Sequence, residues 1–361
     1  MKKTLIAVAA LSAMAASAMA ANVTVSGVVD LGFAFQNIKK GDTTRTFKMN
    51  SGQNSGSRVM FKGAEDLGNN VEVGFQLESG FAADSGLLGG ESNIFQRESR
   101  LYVKTAFGTV HAGRFGALDS GTGSVSIFGG SDMAAFGTGW SDVARTKPIL
   151  KISSRYDNSI AYQSPTFAGV SLYVMHSLKE SDQTKKFVAE EKGNEGRPSA
   201  NRYNGIGLKY VNGAFNAAFV ASQQNYASLG GGLNPENGLV YSLGAGYDFG
   251  VCKVMAEGQY FDMGKDNVPA SKVEKGWGTV LSVTAPVAGG KLYASAGYKD
   301  AENTVSSDIK QKAFNLGLGY TYNFSKRTMF YTAAGYEEVK DEPADSKTKT
   351  TTVITGLVHK F

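Results

Sequence analysis

The sequence predicts an all-β fold, a sixteen-stranded antiparallel transmembrane β-barrel. Three observations carry this reading. Segments of about ten residues alternate in polarity from Asn22 to Phe361, the signature of membrane-spanning strands. No run of 18 apolar residues follows Ala20, so no helix is offered to the bilayer, and a closed barrel is the other way to satisfy every backbone group in lipid. The connections alternate between short and long, as they do when one end of a barrel is trimmed and the other carries loops.

In chain order, Met1 to Ala20 reads as an export signal to be cleaved. Lys2 and Lys3 charge its start, Leu5 to Ala16 is apolar and small, and Ala18-Met19-Ala20 is an A-x-A cleavage pattern, so a single mature domain is expected over 21–361. The first strand sets Val23, Val25, Val29, Leu31, Phe33 and Phe35 against Thr24, Ser26, Asp30 and Gln36. Later, Leu239, Tyr241, Leu243, Ala245, Tyr247 and Phe249 oppose Ser242, Gly244, Gly246 and Asp248. The cleanest alternation puts Phe314, Leu316, Leu318, Tyr320, Tyr322 and Phe324 opposite Asn315, Gly317, Gly319, Thr321 and Asn323. Tyrosines at the end of an apolar face suit an aromatic girdle. In the last strand Val353, Thr355, Leu357, His359 and Phe361 share one side, and the chain stops on that aromatic ring.

Short connections are read at 66–70, 107–109, 164–169, 211–213, 248–250, 286–290 and 323–327. Long polar ones are read at 37–54, 79–94, 116–153, 179–201, 227–237, 264–275, 300–310 and 340–349. Seven turns and eight loops join sixteen strands, a number that leaves a water-filled lumen where eight would be packed solid. Glycine is abundant (45), proline scarce (7), and aromatics make up 11%. The 37 basic residues less Lys2 and Lys3 leave 35 against 32 acidic, a formal +3, with no concentrated patch of the kind nucleic acid demands. Cys252 is the only cysteine, so no disulfide is expected and it is read as a small apolar residue. The three histidines are far apart. A metal site is unsupported, no cofactor is implied, and an enzyme would need a nucleophile held near a histidine. His111 and His176 are read as girdle residues.

The chain resembles the sixteen-stranded general diffusion porins of Gram-negative bacteria, in particular the β-proteobacterial group. The residues that carry the resemblance run along the whole mature chain. They are Gly63-Ala64-Glu65-Asp66-Leu67-Gly68-Asn69 with Gly74-Phe75-Gln76-Leu77-Glu78, then Phe107-Gly108-Thr109-Val110 leading to Gly113-Arg114. They continue with Arg155 to Pro165, Ser325-Lys326-Arg327-Thr328, and Gly356 to Phe361. The resemblance implies an outer-membrane homotrimer surrounded by lipid, with the third loop folded into each lumen as a constriction. It also implies passive diffusion of ions and small hydrophilic solutes, and a terminal Phe361 read by the barrel assembly machinery. One departure stands out. The third loop is rich in Gly and Ser, and its acids Asp119, Asp132 and Asp142 are spread along it instead of forming a compact acidic motif.

In a diffusion pore, function resides in the diameter and charge of the narrowest point. Basic residues concentrate on the strands around that point: Arg58, Lys62, Arg97, Arg100, Lys104, Arg114 and Arg155. Arg58 and Lys62 share a face opposite Val59 and Phe61, and Arg100 and Lys104 share one with Tyr102. A lipid-facing Arg or Lys at mid-bilayer costs about 2–4 kcal/mol, so these side chains are expected to point into the lumen, the alternative for each being a solvated rim position. Arg97 is out of phase with Arg100, which a bulge or a position above the membrane would resolve. Glu72 and Glu78, beside Gln76, are expected to pair with the basic wall. In the loop, Ile127, Phe128, Met133 and Phe136 are candidates to pack on the inner wall. Arg58, Lys62, Arg100, Lys104, Arg114, Arg155, Asp119, Asp132 and Asp142 are therefore the candidate constriction, with a modest anion preference. Two alternatives remain: a substrate-selective channel with a sugar-stacking track at Phe128, Phe136 and Trp140, and an adhesin using the 179–201 loop.

Overall fold

The alternation read from the sequence organises the whole molecule, with its polarity inverted relative to a soluble sheet. In the computed structural model, Leu243 is 62% exposed while its neighbour Ser242 is 1% exposed, and Leu281 (56%) stands beside Ser282 (1%). Apolar surface displayed all round a barrel is unfavourable in water and suits lipid. The polar and glycine positions turn inward. The structure describes residues 23–361 apart from 90–92, 129–133, 135, 137–139, 141–142, 144–148, 152, 179–200, 227–235, 265–272, 305 and 343–345. The signal segment and most of the 179–201, 227–237 and 264–275 loops therefore lie outside the described residues.

Seventeen strand segments are present among the described residues. They are β1 (Thr24–Lys40), β2 (Asp42–Ser51), β3 (Arg58–Asp66), β4 (Glu72–Gly80), β5 (Glu98–Thr105), β6 (Gly108–Gly116), β7 (Arg155–Gln163), β8 (Val170–Ser177) and β9 (Arg202–Asn212). They continue with β10 (Phe215–Asn225), β11 (Gly238–Asp248), β12 (Lys253–Asp262), β13 (Lys275–Val287), β14 (Gly290–Glu302), β15 (Lys310–Asn323), β16 (Thr328–Glu342) and β17 (Ser346–Lys360). Apart from β2 and β3, consecutive segments pair antiparallel, and β17 closes on β1 from Val28↔Lys360 to Lys39↔Lys349. The closure is completed at the terminus. Phe361 N–H donates to the Gly27 carbonyl (3.1 Å) and Gly27 N–H to the Phe361 carbonyl (2.9 Å).

The barrel has sixteen strands, because β2 and β3 are two parts of one. Both pair with the same side of β1, β2 against Leu31–Lys40 and β3 against Thr24–Val28. Residues 52–57 interrupt that strand and are tied to buried Asp30. Asp30 Oδ2 accepts N–H from Asn54 and Ser55 (2.7 Å each), and Oδ1 accepts the Tyr331 hydroxyl (2.7 Å). Gln53 Nε2 donates to the same Tyr331 oxygen at 3.1 Å. Gly52 turns at φ 70°, a conformation that favours glycine.

All seven expected short turns join strands where they were read. The expected loop at 37–54 does not exist. β1 and β2 form a continuous hairpin around Gly41, and the interruption comes later. The 300–310 and 340–349 loops are likewise shortened, because β14 and β16 run on to Glu302 and Glu342. The reason is the same in each case. Beyond the bilayer both faces of a strand meet water, so the polarity pattern disappears while the ladder continues. Aromatic pairs mark both edges of the apolar band: Trp277 with Tyr298 (centroids 5.5 Å) at one, Tyr247 with Phe249 (4.6 Å) and Tyr322 with Phe324 (5.5 Å) at the other.

The connection between β6 and β7 supplies much of the buried apolar packing. Leu118, Val125, Ile127 and Phe128 cluster with Tyr156, Met175, Tyr203 and Val220 of β7–β10. Phe136, Trp140 and Val143 cluster with Tyr331, Ala333, Ile354 and Val358 of β16 and β17, and Ala134, Ile149 and Leu150 with Val280 and Ala313. Glycine permits this approach. A Cβ at Gly278 would overlap the Ile149 carbonyl, and one at Gly319 would sit 3.0 Å from the Phe136 ring. Part of the glycine on the polar faces is thereby explained by close backbone contact.

Candidate functional site

The site is built on β3–β7, whose inward positions carry long cations. β4 turns Gln76 and Glu78 inward, both buried, opposite outward Phe75 and Leu77. β5 turns Glu98, Arg100, Tyr102 and Lys104 inward by the same period, and Leu101 and Val103 outward. Glu98 was not singled out from the sequence, although its phase with Arg100 was available there.

Glu78 is the centre of the upper group. Arg97 pairs with it, Arg58 Nε lies 3.5 Å from the same oxygen, and Arg155 lies within electrostatic reach. Arg97 sits just before β5 starts, at its loop end, which resolves its odd phase. Arg58 also donates to the Gly56 carbonyl (2.7 Å) at the strand interruption. Arg114 reaches Asp157 (2.5 Å) and the Gln96 carbonyl (2.7 Å). These positions depend on a bulge. Gly113 pairs with Ser159 but Phe115 with Tyr156, leaving an extra residue in β7 where Asn158 takes φ 48°. Bulges re-aim side chains in this way. Arg97, Arg114 and Arg155 line one cavity of about 480 Å³ with Gly56, Asn93 and Gln96.

Arg100 is central to the lower group. It donates to Gln76 (3.2 Å), lies 3.4 Å from Glu98 and stacks over the Tyr102 ring at 5.1 Å. Its guanidinium is 2.7 Å from His111 Nδ1, which must accept, because a guanidinium only donates. His111 is buried and inward, so the girdle reading is corrected for it. His176 stays on the outward face of β8, 2.7 Å from Asn204. Lys62, Arg100 and Lys104 line a second cavity of about 480 Å³ with Glu72, His111 and Thr109. Ser124, of the β6–β7 connection, donates to Glu98 through its N–H and hydroxyl (2.6 Å each), and its hydroxyl oxygen lies 3.3 Å from Gln76 Oε1. It therefore stands between the two groups.

The wall thus brings together seven bases (Arg58, Lys62, Arg97, Arg100, Lys104, Arg114, Arg155) and five acids (Glu72, Glu78, Asp84, Glu98, Asp157), two bases in excess. Of the expected opposing acids, Asp132 and Asp142 lie outside the described residues. Asp119 is not an open group. It is buried and accepts hydroxyls from Tyr203 (3.1 Å), Ser222 (3.1 Å) and Ser153 (3.0 Å), so it ties the connection to β9 and β10. On the far side, Lys151 exchanges backbone bonds with Gln259 (2.5 and 2.9 Å) and pairs with Glu274. Phe128, Phe136 and Trp140 are buried, with Trp140 packed on Tyr293 (5.3 Å) and Tyr331 (5.8 Å). These three rings offer no open track for stacking a sugar.

Burial pushes the Asp119 carboxyl above the ordinary aspartate range, and its three hydroxyl donors offset only part of that. The folded state therefore holds the proton more tightly than the unfolded chain. Stability from this group is fully present below the unfolded value of 3.8 and is lost as pH rises through the folded value. Asp119→Asn is expected to flatten that component. Thermal unfolding of the two proteins across acid to neutral pH checks it, the wild type losing more stability as pH rises. Parallel pH profiles would contradict the assignment.

The family model for the Gram-negative porin matches residues 7–342. An outer membrane porin protein of Bordetella pertussis is 29% identical over 100% of both chains. Outer membrane porin protein 32 of Delftia acidovorans is 30% identical over 94% of this chain and 91% of its own. Among solved structures, an anion-selective porin from Comamonas acidovorans has TM-score 0.67 and 25% identity, covering 94% of this chain and 100% of that one. An outer membrane protein of Vibrio cholerae in its trimer form has TM-score 0.62 at 15% identity, covering 95% and 100%.

Proposed function

The chain belongs to the Gram-negative porin family and is an outer-membrane porin, and we propose that ions and small hydrophilic solutes pass along its basic wall with a modest preference for anions. The observation that carries this reading is the excess of two bases over acids along β3–β7 and their connections. Because the wall is partly neutralised and water screens charge over roughly 8 Å at physiological salt, the preference is a bias, not a filter. The Comamonas relative, named as anion-selective, is consistent with it.

In this reading the β6–β7 connection crosses the lumen and sets the narrowest point. Support comes from its contacts with β9 and β10 on one side and with β13, β16 and β17 on the other. Arg58, Arg100 and Arg114, with Arg155 next, form the constriction wall, and Lys62 and Lys104 line its lower approach. Three copies assemble into a trimer, as the Vibrio relative does, and Phe361 acts as the signal for barrel assembly. Relatives of this family are channels, and no reaction is assigned to the chain.

Single-channel recording in planar bilayers tests the conducting role. Discrete ohmic steps in potassium chloride are expected, and a protein that inserts without conducting overturns it. The trimer is checked on a denaturing gel. Unheated protein should run near three times the mature mass and fall to monomer on boiling, whereas a monomer-sized unheated species in mild detergent would contradict the assembly.

A further inference from the structure

Glu78 and Glu98 stand directly opposite each other on β4 and β5, both inward and both buried, on the basic wall. Like charges so placed are destabilising, and a carboxylate here subtracts from the excess of bases. Glu78 is offset by Arg97 and Arg58. Glu98 is spent differently. Its ion pair with Arg100 is 3.4 Å long, and Arg100 has nearer partners in His111 (2.7 Å) and Gln76 (3.2 Å). The short contacts of Glu98 go to the β6–β7 connection. Oε1 accepts the Ser124 N–H and Oε2 the Ser124 hydroxyl, at 2.6 Å each. Both oxygens of one carboxylate are thus committed to a single loop residue, and the Glu98 side chain is 1% exposed. Gly123 leaves room for the approach, since a Cβ there would lie 2.9 Å from Glu98 Oε1.

The place of this contact matches the break between the two cavities. Along β4 and β5 the lower cavity takes in Gln76 and Arg100, and the upper one Gly80 and Gln96. The pair between them, Glu78 and Glu98, lines neither. Ser124 is exposed on the lower cavity and covers Glu98 at that level. The next residue, Val125, is buried in the cluster with β7–β10. The loop is therefore held from β5 on one side and from β7–β10 on the other. We propose that Glu98 is a positioning residue of the pore, one that holds Gly123 and Ser124 against β4 and β5 and so divides the path along the basic wall between an upper and a lower cavity. The inference rests on the reading of that wall as the ion path. A carboxylate suits the role, because it accepts from both Ser124 donors at once and charge-assisted bonds are roughly twice as strong as neutral ones.

Single-channel recording of the full mature protein in planar bilayers separates position from charge. Glu98→Gln and Glu98→Leu remove the same charge and differ little in volume. Gln still accepts the Ser124 N–H and donates its amide to the hydroxyl oxygen, whereas Leu offers neither bond. Both are expected to move the zero-current potential equally towards anions, by about twofold in permeability ratio near physiological salt. Glu98→Leu is expected to conduct about twofold more than Glu98→Gln, as the two cavities join. Ser124→Ala leaves the barrel wall and its charge intact, and is expected to raise conductance by a smaller factor with no shift of the potential. The double variant Glu98→Leu/Ser124→Ala should conduct no more than Glu98→Leu, because both act through one contact. Heat-modifiability on unheated gels verifies folding, and Ser124→Ala carries the test if Glu98→Leu does not assemble. Equal conductances for Glu98→Gln and Glu98→Leu, or an unchanged conductance for Ser124→Ala, overturn the positioning role. The conductance comparison does not depend on the sign of the potential, so a failure of the anion reading is seen separately.

Discussion

A Phe361→Asp chain is expected to be exported and cleaved normally, yet to accumulate little heat-modifiable barrel in the outer membrane. Phe361 completes the ladder to Gly27 through two backbone bonds, which the substitution leaves possible. Its ring is on the outward face beyond Leu357 and His359, and a Cβ at Gly27 would collide with it. A charge at this edge of the membrane costs only about 0–1 kcal/mol, which alone would lower the folded population by no more than about fivefold. A larger drop in barrel yield, read from unheated gels of outer-membrane fractions, is the result expected from the proposed role of the terminal ring in assembly. A yield within that factor would assign Phe361 to stability alone.

Replacing Arg58, Arg100 and Arg114 together by Ser is expected to enlarge single-channel conductance and to turn the selectivity towards cations. The substitutions remove three long side chains and turn the excess of two bases on the wall into an excess of one acid. Glu78 keeps Arg97, while Glu98 and Asp157 lose the guanidinium contacts they make now. At 8 Å in water each charge is worth about 0.5 kcal/mol to a passing ion before screening. Three therefore change each ion's permeability by at most about tenfold, in opposite senses for anion and cation, and so the permeability ratio by at most about a hundredfold before screening and far less near physiological salt. An unchanged zero-current potential, in a variant that still runs as a folded oligomer, would move the constriction elsewhere.

Much of this was legible in the sequence because lipid imposes a strict code. Where a strand is bathed in hydrocarbon on one side, Leu316 and Leu318 must alternate with Asn315 and Gly317, and the seven tight turns follow at the ends of such runs. The code lapses where that solvent ends, which is why the hairpin through Lys40 and Asp42 read as a loop. Period-2 reasoning also assumes an unbroken pleat. It could locate Arg58, Lys62, Arg100 and Lys104 on inward faces, but the extra residue of β7 and the interruption at 52–57 have no one-residue signal. The partners of the site were less visible still. Ser124 meets Glu98 from 26 residues away, and Asp119 meets Ser222 from 103, separations at which polarity alone says nothing. Asp119 therefore read as an open pore acid, while the fold uses it as a buried tie.

The most direct test of the basic wall is the zero-current potential of the unmodified channel in a tenfold gradient of potassium chloride at low ionic strength. A potential of the sign set by chloride, shrinking as total salt rises, is the result expected from two unbalanced bases along the path. A potassium-selective potential at low salt would contradict it, and would mean that Arg58, Arg100 and Arg114 do not line the narrowest part of the pore.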